Sequence, residues 1–159
     1  MDSWAIVNSF FTYWTVQDVE MALSLANEDV VYMLYISETA LPHGGETRGR
    51  DNCRHALYDV LTQFDYLKYE PTIMSVDGDV VRAQVRFAYR HRATGEVLSG
   101  SKRMVFTARN GQIVRVDEYH DAAMVEAFMR LAAHRVETIG PSPPPELPRI
   151  PPGKGPEGL

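Results

Sequence analysis

Residues 111 to 121 read Gly-Gln-Ile-Val-Arg-Val-Asp-Glu-Tyr-His-Asp, a turn glycine followed by a strand that ends in adjacent acid/base groups. Alternation places Val114, Val116, Glu118 and His120 on one face and Ile113, Arg115, Asp117 and Tyr119 on the other. A carboxylate and an imidazole therefore share one side of the strand. Asp121 follows at once and opens an apolar-periodic stretch through Val125, Phe128, Met129 and Ala132, so these groups stand at a strand-to-helix corner. Proton abstraction beside a carbonyl needs one base tuned near neutrality in a site that excludes water. Asp121 or His120 fits that role, and Glu118 could raise the basicity of His120 or hold its tautomer. Structural roles compete with this chemistry. Asp121 occupies an N-cap position, which by itself stabilises a helix by about 1 kcal/mol, and His120 could be a hydrogen-bonded wall residue. No metal site is expected, because Glu118 and His120 supply only two ligands and His43 would have to come from a loop.

The elements that must hold this corner follow from periodicity. Residues 3 to 14 repeat Trp4, Val7, Phe10, Phe11 and Trp14 at spacings of three and four, which predicts an amphipathic helix. Thr15 to Asp18 resembles an N-cap with an acidic third position and starts a second helix through Val19, Ala22, Leu23 and Ala26. Asp29 to Ile36 is β-branched and aromatic and reads as a strand. Ser37 to Gly49, with Pro42, Gly44 and Gly45, reads as an irregular loop in which His43 could close over a pocket. Arg50 to Phe64 reads as a third helix carrying Cys53, Leu57, Val60, Leu61 and Phe64. The period then changes to two, giving strands at about 68–76, 80–92, 97–108 and 112–120. Asp77-Gly78, Ala93-Thr94-Gly95 and Asn110-Gly111 mark the hairpins of an antiparallel meander. Helices early and strands late predict an α+β domain in which a curved antiparallel or mixed sheet wraps around three helices, with a further helix over 122–136.

The domain is expected to span 1–137. Residues 138–159 hold eight of the ten prolines and read as an extended proline-rich tail. Composition narrows the partners. A net charge of -5 lacks the cationic surplus that nucleic acid requires, and no apolar run is long enough to span a membrane. The N-terminus has no signal-peptide pattern, so a cytoplasmic location is expected. Cys53 is alone, which excludes an intrachain disulfide and reads as a packing residue.

The order of these elements, together with Asp18 to Val30, Gly49-Arg-Asp, Val76-Asp-Gly-Asp-Val-Val and Gly111 to Asp121, resembles the nuclear transport factor 2-like superfamily, and within it the SnoaL-like polyketide cyclase group. The resemblance covers residues 3 to about 135. It implies a cone-shaped barrel with an apolar pocket between the sheet and the first helices, in a homodimer paired through the open face of the sheet. Phe10, Trp14, Leu34, Tyr35, Leu57, Phe87 and Val116, with His43, are the expected lining. A steroid-isomerase-like base and oxyanion pair would fall on Leu34, Phe10 and Ser99, and a limonene epoxide hydrolase-like Arg/Asp pair on Ser99, Ser101 and Arg103; neither chemistry is supplied. The cyclase-like position, Asp121 beside His120, remains. The expected function is cofactor-free acid/base catalysis on a small hydrophobic carbonyl compound; the alternative is a non-catalytic ligand-binding or dimerising module, because one fold hosts both.

Overall fold

The computed structural model describes residues 1–138. Helix α1 (Ser3–Thr15) is capped by Asp2, whose carboxylate accepts from the Ala5 amide at 2.8 Å. It buries Ile6, Val7, Phe10, Phe11 and Trp14, while Trp4, expected on that face, is exposed. The cap of α2 (Val19–Leu23) is Asp18 and not Thr15: Asp18 accepts from the Met21 amide at 3.1 Å, and Thr15 still belongs to α1. The remaining elements are β1 (Ala26–Leu34), β2 (Gly45–Arg48), α3 (Arg50–Gln63), β3 (Phe64–Asp77), β4 (Val80–His91), β5 (Val97–Arg109), β6 (Gln112–Tyr119) and α4 (Ala122–Thr138). The expected proline-rich tail lies outside the described residues beyond Thr138, which ends α4. Among the described residues no helix is long and apolar enough to cross a membrane.

The fold is α+β, with a six-stranded sheet in the order β2-β1-β6-β5-β4-β3. Strands β3 to β6 form the expected meander. Its last turn is built from Asn110 and Gly111, both at positive φ (52° and 77°), the geometry that matches the twist of a two-residue hairpin. Strand β1 joins the far edge of the meander by pairing parallel to β6, which makes the sheet mixed. Strand β2 falls inside the segment read as a loop; Gly45 to Arg48 pair antiparallel with Leu34 to Val31. Register shifts in the β1/β6, β3/β4 and β5/β6 pairs bend the sheet into a trough. The shift on β6 also corrects the simple alternation at its start: Ile113 and Val116 are both buried, and Val114 does not share the inner row with Val116.

Helix α1 fills the trough. Phe106 of β5 is fully buried and meets Phe10 and Phe11 edge-on, each at 5.3 Å between centroids. On β4, Val81, Ala83, Val85, Phe87, Tyr89 and His91 face this core, and Arg82, Gln84 and Arg86 face out, so the period-two pattern is realised with one apolar surface.

Candidate functional site

Two strands and one loose end bring the polar groups together. Lys102 on β5, Glu118 on β6 and His120 just past the end of β6 lie on the inner side of the sheet, with side chains only 5%, 9% and 7% exposed. Glu118 accepts from Lys102 Nζ at 3.2 Å and from His120 Nε2 at 2.6 Å, both through Oε2, while the Tyr32 hydroxyl of β1 donates to Oε1. Lys102 Nζ also stands 5.1 Å from the ring centre of Tyr69 and 5.9 Å from that of Tyr89, a cation held against aromatic faces.

Burial acts most strongly on Glu118 and by itself would favour the neutral acid. The Lys102 charge, then the hydrogen bond and charge of His120, outweigh it and hold the carboxyl well below the ordinary range. Burial likewise works against the charge of Lys102, but the Glu118 carboxylate more than offsets it and the ammonium titrates above its usual value. The pair is therefore an ion pair at neutral pH. The hydroxyls of Tyr32, Tyr66, Tyr69 and Tyr89 are pushed well above their ordinary value, first by burial. They remain neutral hydrogen-bond donors. Glu118 accepts from His120 Nε2, which leaves Nδ1 as the ring nitrogen not engaged by the carboxylate. That Nδ1 is buried and has no partner among the described residues.

This cluster closes one end of a cavity of about 110 Å³. Tyr32, Tyr66, Lys102 and Glu118 form its polar end, and Trp14, Leu34, Leu41, Cys53, Leu57, Val60 and Phe64 supply most of the apolar wall. At the mouth, Pro42 and His43 come from the loop before β2, and His43 Nε2 is 2.9 Å from Asp59 Oδ2 on α3. Gly44 makes the loop close-packed: a Cβ there would stand 2.4 Å from the Ile36 carbonyl oxygen, so no larger residue fits.

The sequence-derived candidates separate into three groups. Glu118 and His120 come together with inward side chains, and Trp14, Leu34, His43 and Leu57 line the cavity. Phe10, Phe87 and Val116 are buried in the packed core and do not line it, because α1 and the inner face of the sheet close on each other there. Tyr35 and Asp121 lie elsewhere. Tyr35 is exposed, stacks on Tyr119 at 4.3 Å and donates to Asp117 on the outer side, since the inner row of β1 is taken by Tyr32 and Leu34. Asp121 is exposed and its Oδ1 accepts from the Met124 amide at 3.2 Å, the capping role. Lys102 and Tyr32 were missed. The signal for Lys102 is one cation in the otherwise apolar row Leu98, Gly100, Lys102, Met104, Phe106 and Ala108, opposite the row of Ser99, Ser101 and Arg103.

Residues 7–116 match the SnoaL-like domain. The chain belongs to the SnoaL-like family. Solved structures carry the same fold. A candidate SnoaL-like polyketide cyclase from Mesorhizobium loti superposes with a TM-score of 0.65 at 19% identity, covering 76% of this chain and 100% of that one. A candidate isomerase from Bacillus subtilis gives 0.68 at 20% identity over 80% and 94% of the two chains. TerC, co-crystallized with polyporic acid, gives 0.70 at 19% identity over 82% and 98%. At such identities the likeness of this SnoaL-like protein to its neighbours is one of fold. No curated protein matches the chain.

Proposed function

We propose that this SnoaL-like protein binds a small, largely apolar carbonyl compound in the cavity and moves a proton on it by general acid/base catalysis, without a cofactor. The reading is carried by one observation: an ionised Glu118, bonded by Lys102, Tyr32 and His120, at the end of an otherwise apolar cavity. A carbonyl oxygen seated there accepts from Lys102 Nζ and the Tyr32 hydroxyl, two of the donors that line the cavity and the two that bond Glu118 there. Those donors then turn from Glu118 to the ligand, and a carboxylate that loses donors regains basicity. Glu118 takes the proton from the adjacent carbon. The C–H electron pair passes to the oxygen as an enolate, stabilised by Lys102, and His120 holds the carboxyl from behind. Return of the proton to another carbon gives isomerisation; attack of the enolate carbon on a second carbonyl gives ring closure. The polyporic acid complex of a neighbour supports a small-molecule ligand for this fold.

The test is exchange of α-protons of small cyclic ketones in D2O, followed by proton NMR. Exchange above the buffer rate is expected for the wild type and for Asp121→Asn, with a loss of about 10²–10⁴-fold in Glu118→Gln. The Lys102→Met/Glu118→Gln double variant, in which no charge is left stranded, keeps the result readable if the single variant unfolds. A second reading, a non-catalytic binding module, is favoured by the fact that both Glu118 oxygens are already engaged by donors. Ketones that bind to the wild type without any exchange would establish it. The outer sheet face, with Arg82, Gln84 and Arg86 exposed, is read as the surface that pairs two copies in a homodimer, which light scattering after size exclusion would measure.

A further inference from the structure

On the side of the sheet away from the cavity, the chain leaves a group of cations uncommitted. Arg82 and Arg86 of β4 stand on either side of Gln84, and the β4/β5 register sets Arg103 opposite Gln84 and Ser101 opposite Arg86. All five residues are exposed. Residues opposite one another in a sheet are about 5 Å apart and diagonal neighbours about 7–8 Å, so the stems of Arg82, Arg86 and Arg103 rise from the corners of a triangle around Gln84. Arg103 also stands beside Tyr119, its Cζ 5.9 Å from the ring centre, and Tyr119 stacks on Tyr35 at 4.3 Å.

Two observations say what this group is for. The first is charge. Glu70, which faces Arg86 across the β3/β4 pair, is taken by Lys68 at 3.6 Å, and Asp117 of β6 is taken by Arg115 at 2.9 Å. Among the described residues Arg82, Arg86 and Arg103 form no ion pair, although the chain as a whole has a net charge of -5. Like charges set so close repel one another, and an anion between them offsets that cost. The second observation is the donor set. Three guanidinium forks, the Gln84 amide and the Ser101 hydroxyl share one patch, and none of these side chains makes a hydrogen bond with the described residues. A guanidinium fork pairs two oxygens at once. A tetrahedral phosphate presents oxygens to several forks together, whereas a carboxylate side chain offers two oxygens in one plane.

We propose that Arg82, Arg86 and Arg103 form an oxyanion site on the outer face of the sheet that takes a phosphate group, with Gln84 and Ser101 completing its floor. The ligand class is a phosphomonoester: its dianion matches the cationic triangle, and the Tyr35–Tyr119 stack beside Arg103 offers a ring surface against which the esterified group lies. Free inorganic phosphate makes the same polar contacts without using that surface. The site does not rest on the reading of the cavity or on turnover there. Where two copies pair through this face, the bound anion also neutralises cations that a facing copy would otherwise meet.

The experiment is calorimetric titration of the full chain with inorganic phosphate and with phenyl phosphate at about 0.15 M salt, where exposed charges are largely screened from one another. The wild type should bind both, phenyl phosphate the tighter, and its thermal midpoint should rise with added phosphate and not with chloride of equal ionic strength. Arg82→Gln and Arg103→Gln should each weaken phosphate binding by about tenfold or more, as expected for loss of a charge-assisted pair. Arg48→Gln, which removes the same charge from exposed β2, should leave binding unchanged. Tyr119→Thr, which keeps a strand-forming residue, should bring phenyl phosphate to the affinity of the free ion. Equal affinity of the wild type for the two probes overturns the phosphomonoester as the ligand. A loss in Arg48→Gln as large as that in Arg103→Gln marks attraction to any surface cation and overturns the site. Absence of binding of either probe to the wild type overturns it as well, whether the face is bare or covered by a second copy.

Discussion

Replacing Lys102 by Met keeps most of the stem and removes the charge from a pair that is almost fully buried. The two charges stand 3.2 Å apart; at an effective dielectric of about 20 their attraction is about 5 kcal/mol. Desolvation of both ions opposes that attraction, so the intact pair adds little net stability. Removal of one partner strands the other and costs about 3–5 kcal/mol. The penalty carries a pH signature. In the native protein Glu118 titrates below its ordinary value, so its contribution is present above the unfolded pKa and is lost only as pH falls through the depressed value. In Lys102→Met the largest influence lowering that pKa is gone and burial pushes the carboxyl upward. Once the folded pKa exceeds the unfolded one, the folded variant holds a proton that the unfolded chain releases, and stability falls as pH rises. The penalty relative to the wild type is thus largest near about pH 8 and shrinks towards about pH 5. Urea unfolding followed by tryptophan fluorescence at a series of pH values measures it. Lys102→Met/Glu118→Met, which removes both charges, should lose less stability than Lys102→Met alone, a non-additivity that a double-mutant cycle reads directly. A single variant within about 1 kcal/mol of the wild type at every pH, or strictly additive effects in the cycle, would refute the buried ion pair as the organising feature of the site.

Two further outcomes separate structural from chemical roles. Asp121→Ala should lose about 1 kcal/mol of stability through the lost cap of α4, Asp121→Asn should lose little, and both should bind ketones as the wild type does; a selective loss of binding or exchange in Asp121→Asn would return Asp121 to the site. The Cys53 thiol lines the cavity and burial pushes its pKa up to about 11. Labelling by a thiol reagent near neutral pH should therefore be slow, follow transient opening of the fold, and slow further when a ketone occupies the cavity; immediate stoichiometric labelling of the native protein would contradict the packing around α3.

What the chain determines locally was legible in it. Alternation in Val81 to His91 and Val97 to Ala108 defined β4 and β5, Asn110-Gly111 defined the turn into β6, and the two-residue spacing of Glu118 and His120 put both on one side. These are properties of neighbouring residues, set by the strand period and by the few residues that tolerate positive φ. The cap at Asp121 belongs to the same class: its Oδ1 accepts from the Met124 amide three residues on. The tertiary structure decided everything that depends on partners far apart in sequence. Strand β2 has four residues in a Gly-rich stretch and exists because β1 offers it an edge. Tyr35 turned outward because the pairing of β1 with β6 assigned the inner row to Tyr32 and Leu34. Phe10, Phe87 and Val116 became core and not cavity wall because α1 packs down on the sheet at that level. Lys102 meets Glu118 only when β5 and β6 pair in register, and a buried lysine is tolerable only opposite that carboxylate, so its meaning lies in the pairing and not in its place along the chain.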